Sequence, residues 1–227
     1  MERHMDELLA SLKLELTKMS ALAESMIHDA ITVLTERDQN TLAAVQAHEK
    51  TVNRMQVEID EACLRLIALH QPAASDLRFI LGVAKTNADL ERLADQAVNI
   101  SEKAVLLLQE PPLKRCEIIV RMAKLAAEML KDSLHSFVNR DTEKARSVLM
   151  RDDALDAMKA EVTEELTVLM TTDGATVRRA IALALVAGHL ERIGDHATNI
   201  AENTIFIKEG KDIRHGIKSQ PESSRPR

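Results

Sequence analysis

Trp and Tyr are absent from this chain of 227 residues and Phe occurs three times, so aromatic residues make up only 1% of it. Such scarcity argues against base-stacking platforms for nucleic acid and against aromatic-lined ligand pockets. Positive charge is not in excess either. Thirty Lys and Arg against 36 Asp and Glu leave a formal net charge of −6, the wrong sign for a general nucleic-acid binder. Two cysteines, Cys63 and Cys116, are too few and too far apart for a disulfide framework or a metal finger, and read as small buried residues in a reducing compartment. The longest apolar run, "AIALALVAG" at 180–188, is far shorter than the roughly 20 residues a bilayer requires. The start, "MERHMDELLASLKLEL", sets acids among its apolar residues, unlike a signal peptide. These absences lead to the expectation of a soluble, cytoplasmic protein.

What is present is helical pattern. Hydrophobic residues make up 45% of the chain, enough for a core built from Leu, Ile, Val, Ala and Met. Apolar residues recur at steps of three and four, as in Met19, Leu22, Met26 and Val33, or Met55, Ile59 and Leu66. Gly and Pro are few, six and five, and Pro72, Pro111, Pro112 and Gly174 fall in the breaks, which read as "RDQN" (37–40), "HQPAASD" (70–76), "QEPP" (109–112), "NRD" (139–141) and "TTDGAT" (171–176). Asp38, Asp76, Asp141 and Asp173 stand there as candidate helix caps or turn formers. The pattern predicts an all-α fold of six long helices. The polar residues 209–227, with two prolines and no periodicity, are expected to form a flexible tail.

The chain also repeats itself. A shift of 103 places Leu22, Ala23, Met26, Asp29, Arg37 and Asp38 on Leu125, Ala126, Met129, Asp132, Arg140 and Asp141. The same shift sets Glu49, Met55, Glu58, Glu61 and Leu66 on Asp152, Met158, Glu161, Glu164 and Leu169. Further on the shift is 100, pairing Arg78, Glu91, Arg92, Asp95 and Asn99 with Arg178, Glu191, Arg192, Asp195 and Asn199. Two tandem three-helix bundles from an internal duplication are therefore expected, 1–110 and 111–208, with the boundary near Pro111–Pro112. The halves should pack on each other, and so much apolar helix surface predicts self-association, most simply a homodimer.

Within the repeat lie two copies of an oxygen-bearing stripe, "LERLADQAVNISE" at 90–102 and "LERIGDHATNIAE" at 190–202. On an ideal helix Glu191, Asp195, Asn199 and Glu202 fall within about 80° of one another, while Leu190, Ile193, Ala197 and Ile200 take the opposite side. One such stripe alone reads as a solvated polar face. Here it is written twice, it sets carboxylate beside carboxylate, and the second helices carry matching pairs, Glu49/Asn53 and Asp152/Asp156. Carboxylate and amide oxygens without thiolate suit magnesium, calcium, manganese or iron. The candidate ligands are Glu49, Asn53, Glu91, Asp95 and Asn99 in the first half and Asp152, Asp156, Glu191, Asp195 and Asn199 in the second. No histidine has Glu three residues before it, which counts against a ferritin-like di-iron enzyme, the rival reading of a helical carboxylate protein. His189 and His196 lie off the stripe and read as surface or packing residues. No Gly-rich phosphate loop, nucleophile elbow or HExxH is present, so catalysis is not expected.

The run "VNRMQVEIDEACLRLIALHQPAASDLRFILGVAKTNADLERLADQAVNI", together with "LERIGDHATNIAE" and "KDIRHG", resembles the PhoU family, the accessory regulators of the bacterial phosphate-specific transport system. The resemblance extends to about residue 216 and includes the duplicated layout. It implies metal ions (iron, zinc, manganese or magnesium) on Glu49/Asn53 with Glu91/Asp95 and on Asp152/Asp156 with Glu191/Asp195. Asn53 departs from the family's acidic motif, so the first site is one charge short. It further implies a negative regulator of the phosphate-starvation response and a modulator of high-affinity phosphate uptake, not an enzyme. The partners it implies are the ATPase subunit of the phosphate importer and the phosphate sensor histidine kinase, with the membrane approached only through them.

Overall fold

A computed structural model of the chain describes residues 2–37, 41–111, 113 and 117–214. The helices are α1 (Glu2–Glu36), α2 (Leu42–His70), α3 (Ala74–Leu108), α4 (Glu117–Asn139), α5 (Thr142–Leu149), α6 (Asp152–Thr172) and α7 (Val177–Glu209), with a 3₁₀ turn at Gly174–Thr176. No strand occurs among the described residues. The all-α, twice-three-helix layout is as expected, with one refinement: the middle helix of the second half is interrupted between α5 and α6. At that break Arg151 donates to Ser147 O (3.1 Å) and to Asp132 Oδ2 (2.7 Å), and Lys144 Nζ reaches Asp132 Oδ1 (3.1 Å). Burial opposes ionisation of Asp132, but hydrogen bonds from Arg151 and Lys144 outweigh it and hold the carboxyl below its ordinary value. In the first half these two cations are replaced by Thr41 and His48, and α2 runs unbroken.

The helix ends show which caps were read correctly. Asp141 accepts from the backbone of Lys144 (3.0 Å) to start α5, and Asp173 accepts from the backbone of Ala175 (3.0 Å) to start the 3₁₀ turn. Asp76 is not a cap: α3 begins earlier, after Ala73, and Asp76 sits in its first turn, where an acid still favours the helix dipole. Asp38, Pro112, Cys116 and the tail beyond Arg214 lie outside the described residues. α1 and α4 end alike, on arginines in the left-handed region, Arg37 (φ 59°) and Arg140 (φ 52°). Such a backbone costs a non-glycine residue about 1–3 kcal/mol. At Arg37 the cost is offset by its guanidinium, which donates to Leu108 O (2.9 Å) and Glu110 O (3.0 Å) and so satisfies the end of α3. Arg140 lies over the Phe79 ring, 5.0 Å from its centroid.

α3 and α7 form the centre. α3 packs on α1, α2 and α7; α7 packs on α3, α4, α5 and α6; and α1 meets α4. Thus α2, α3, α7 and α6 lie side by side, with α1 and α4 against their back. One apolar core runs through both halves, including Met19 and Met26 of α1, Val52 of α2, Leu93 and Ile100 of α3, Met122 and Met129 of α4, Val148 of α5, Leu155 of α6 and Leu190 and Ile193 of α7. Cys63 belongs to it as a free thiol, and burial followed by the nearby Asp60 charge pushes its pKa up to about 12, so it is unreactive at neutral pH. No helix of the described residues is long and apolar enough to cross a membrane.

Close packing at the centre depends on two glycines. A Cβ at Gly82 would run into Ile207, and one at Gly194 into Leu155, whereas nothing lies within 4 Å of a Cβ at Gly188. Gly194→Val should therefore lower the unfolding free energy by about 1–3 kcal/mol. Gly188→Ala should raise it by up to about 1 kcal/mol through helix propensity. Urea unfolding of both variants measures this, and opposite signs are the expected outcome.

Candidate functional site

Burial of one arc of each central helix fixes where the stripes point. Leu90, Leu93, Ala97 and Ile100 of α3 and Leu190, Ile193, Ala197 and Ile200 of α7 are fully buried. The opposite arc therefore faces outward, with Asp95 and Asp195 exposed and Glu91, Asn99, Glu191 and Asn199 half-buried. α2 lies alongside α3 with Glu49 and Asn53, and α6 alongside α7 with Asp152 and Asp156.

In the second half the neighbouring acids act on Asp152 and Asp195. Burial, then Asp156, Asp195, Asp153 and Glu191, push the Asp152 carboxyl above its ordinary value. Burial, then Glu191 and Asp156, do the same to Asp195, against the pull of His196 and Lys159. Lys159 Nζ pairs with Glu191 Oε1 at 2.6 Å and is a compensating cation that the sequence reading overlooked. In the first half burial and Glu49 raise Asp95, and burial and Asp95 raise Glu91, which Arg92 and His196 draw the other way. Asn53 donates to Glu49 Oε1 (3.4 Å), while its own Oδ1 is buried without a partner. Mutual repulsion, oxygen-only donors and that orphaned amide oxygen fit a hard divalent cation chemically. Among the described residues, however, no three His, Cys, Asp or Glu side chains are gathered as a group that could hold a metal ion. The acids converge in field without closing into a cage.

Between the stripes the two halves are clasped by polar pairs. His196 Nδ1 donates to Asp89 Oδ1 (3.0 Å), Asn199 Nδ2 donates to the same oxygen (3.1 Å), and His189 Nδ1 donates to Gln96 Oε1 (2.8 Å). Each step up α3 matches a step down α7, so the helices run antiparallel. Both histidines are packing residues, as their helical angle suggested. Burial, then Arg192 and Lys103, push His189 below its ordinary pKa, which keeps it neutral. Asn199, a candidate ligand, is committed to Asp89 across the seam. Asn99 makes no hydrogen bond among the described residues. The sequence reading missed Asp89 and Gln96, although the repeat signals them, since the 100-residue shift places Asp89 on His189 and Gln96 on His196.

Comparison with known proteins agrees with this duplicated architecture. A family model described as "PhoU domain" matches the chain twice, at residues 16–104 and 119–204. A phosphate-specific transport system accessory protein PhoU homolog of Aquifex aeolicus is 39% identical over 203 residues, covering 89% of this chain and 92% of that protein. A homolog of the same description from Caulobacter vibrioides is 38% identical over 208 residues, 91% of this chain and 90% of its own length. The crystal structure of PhoU from Pseudomonas aeruginosa superposes with a TM-score of 0.88 at 33% identity, covering 91% of this chain and 99% of the other. The phosphate transport system regulatory protein PhoU of Streptococcus pneumoniae gives 0.84 at 26% identity, with 92% and 98% covered.

Two outcomes follow from the geometry. A carboxyl whose folded pKa is raised keeps its proton more readily when folded, so it lowers stability as pH rises above its ordinary value, 3.8 for Asp195. With chelator present, Asp195→Asn should therefore be at least as stable as the parent at pH 7, and the difference should vanish as pH falls toward that value. Asp89→Ala should behave oppositely. It strands His196 and Asn199 at a buried seam and should cost about 1–3 kcal/mol in thermal or urea unfolding.

Proposed function

The chain belongs to the PhoU family, and from that premise we propose that it is a non-enzymatic accessory protein of a phosphate transport system, acting as a negative regulator of the phosphate-starvation response and restraining high-affinity uptake. The observation that carries the reading is the family match over both halves, residues 16–104 and 119–204. In this reading the protein is a cytoplasmic adaptor between the ATPase subunit of the importer and the sensor histidine kinase, and it meets the membrane through them. Charged stripes on an outward face suit recognition of an oppositely charged partner.

The stripes would supply the regulation. A divalent cation would be held by Asp152, Asp156, Glu191 and Asp195 in the second half and by Glu49, Asn53, Glu91 and Asp95 in the first. Such an ion cancels the local negative charge and changes which charged partner can dock. The donors as they stand already repel one another, so loading relieves a cost. In the second half the Lys159–Glu191 pair must open to admit the ion.

The reading is checked in cells carrying the variant chain. Asp195→Ala should weaken repression of a phosphate-starvation reporter in phosphate-rich medium, with Asp95→Ala acting in the same direction but less, because Asn53 already leaves that half one charge short. Elemental analysis of the purified double variant should find bound metal lost while helical content stays. Full repression by both variants despite lost metal would make the metal irrelevant to signalling, and retained metal would remove these residues from the ligand set.

A further inference from the structure

The outward face formed by α2, α3, α7 and α6 is not the same at its two ends. At the end where α3 begins, the chain covers itself. It reverses at Gly210 (φ 70°), against which Arg78 lies, and residues 210–214 double back over the groove between α3 and α7. Ile213 packs on the core, Asp212 lies within electrostatic reach of Lys85, and Arg214 within that of Glu202. Lys85 in turn sits 5.1 Å above the Phe206 ring.

The 100-residue repeat carries Leu81, Lys85 and Phe206 onto Ile181, Leu185 and Leu106 at the other end. There Ile181 is 50% exposed, Leu185 47% and Leu106 42%. The antiparallel register of α3 and α7 puts Leu106 about level with Ile181. The cation of the covered end has become a leucine and the ring has become another, while Lys103 nearby on α3 is paired with Glu102. Leu81 is itself 41% exposed, so the two ends differ at the other two positions: Lys85 and Phe206 are half-buried where the chain returns, whereas Leu185 and Leu106 are exposed and, with Ile181, offer a contact surface.

This cluster runs on into the acidic middle of the same face. From Ile181 to Asp195 is fourteen residues along one helix, about 21 Å. Glu191 and Asp195 stand there, with Glu91 and Asp95 across the seam. Arg92 and Arg192, next to Glu91 and Glu191 in sequence, are exposed as well. Among the described residues, Lys159 forms an ion pair with Glu191.

We infer that this face docks a cationic amphipathic helix of a partner protein. Its apolar residues seat on Leu106, Ile181 and Leu185, and its Lys or Arg side chains, three to four turns further along, face Glu191 and Asp195. The inference rests on the adaptor reading above and specifies the partner chemistry that reading leaves open. Charge complementarity selects the occupant: a second copy of this acidic chain would bring carboxylate to carboxylate, whereas a basic helix meets opposite charge. A divalent ion on the stripe and such a helix exclude each other, which gives the metal a means of releasing the partner.

A labelled synthetic helix tests this, with three leucines on one face and four lysines on the same face about 18 Å further along, against a control of the same composition with leucines and lysines interleaved. Fluorescence anisotropy with the full chain should show the spaced peptide binding at least about tenfold more tightly than the control. Ile181→Glu with Leu185→Glu should weaken it by a similar factor, Asp195→Asn by a few-fold, and Mn²⁺ should displace it. Leu81→Glu, at the opposite end of the face, should leave it unchanged. Unaltered helical content of the exposed-site variants keeps the comparison valid. Equal binding of both peptides, or indifference to the Ile181 and Leu185 substitutions, overturns the inference. Light scattering that shows a dimer dissociated by Ile181→Glu assigns the patch to a second copy and overturns it also. Since peptide binding involves no phosphate signalling, loss of the regulatory reading and loss of this surface are told apart.

Discussion

Everything on the outward face depends on the antiparallel seam between α3 and α7. The two helices commit their buried arcs to a shared core, with close approach of α3 to α7 at Gly82 against Ile207 and of α7 to α6 at Gly194 against Leu155. With those arcs buried, Glu91 and Asp95 face outward beside α2, and Glu191 and Asp195 face outward beside α6. The seam's own polar pairs are satisfied across the halves. Asp89 is buried, and it accepts from both His196 and Asn199, so separation of the halves would leave a carboxylate and two donors to be rehydrated or unpaired.

That packing has an electrostatic consequence. Four acids of the second half are held in mutual reach, and burial together with repulsion raises the carboxyls of Asp152 and Asp195. A protein selected for stability alone would relieve such crowding with cations, as it does at Asp132, where Lys144 and Arg151 close around the carboxylate. The contrast within one half is informative. One cluster, on α4, α5 and the α5–α6 break, is neutralised internally; the other, on α6 and α7, is compensated only in part, by Lys159. Unrelieved charge on a fixed outward surface is a property that an incoming cation, metallic or protein-borne, can exploit.

The two halves share a plan and differ in its details, and the differences carry the specificity. α5 and α6 are separated at Met150–Arg151 where α2 is continuous, because Arg151 turns to Ser147 and Asp132 while His48 has no such role. Lys85 over Phe206 at one end of the face has Leu185 and Leu106 as its counterparts at the other, both exposed.

Helix content, the duplication and the outward direction of the stripes were legible in the sequence, because period 3.6 in the apolar residues fixes both a helix and its buried side. Asp141 and Asp173 were legible as caps, since a cap is a local hydrogen bond; Asp76 was not, because Ala73 started the helix three residues sooner and only the backbone shows that. The nearness of Glu49 to Asp95, and of Asp156 to Asp195, was an expectation of the family resemblance. The partners of His189 and His196 were not, since Gln96 and Asp89 lie about a hundred residues away and no local pattern reports a contact across a seam. For the same reason Lys159 against Glu191 and the return of residues 210–214 over α3 came only from tertiary structure. The sequence by itself determined what each helix buries and what it offers. Tertiary structure alone decided which offered groups meet, because electrostatic coupling depends on distance in space and two helices must be packed before that distance exists.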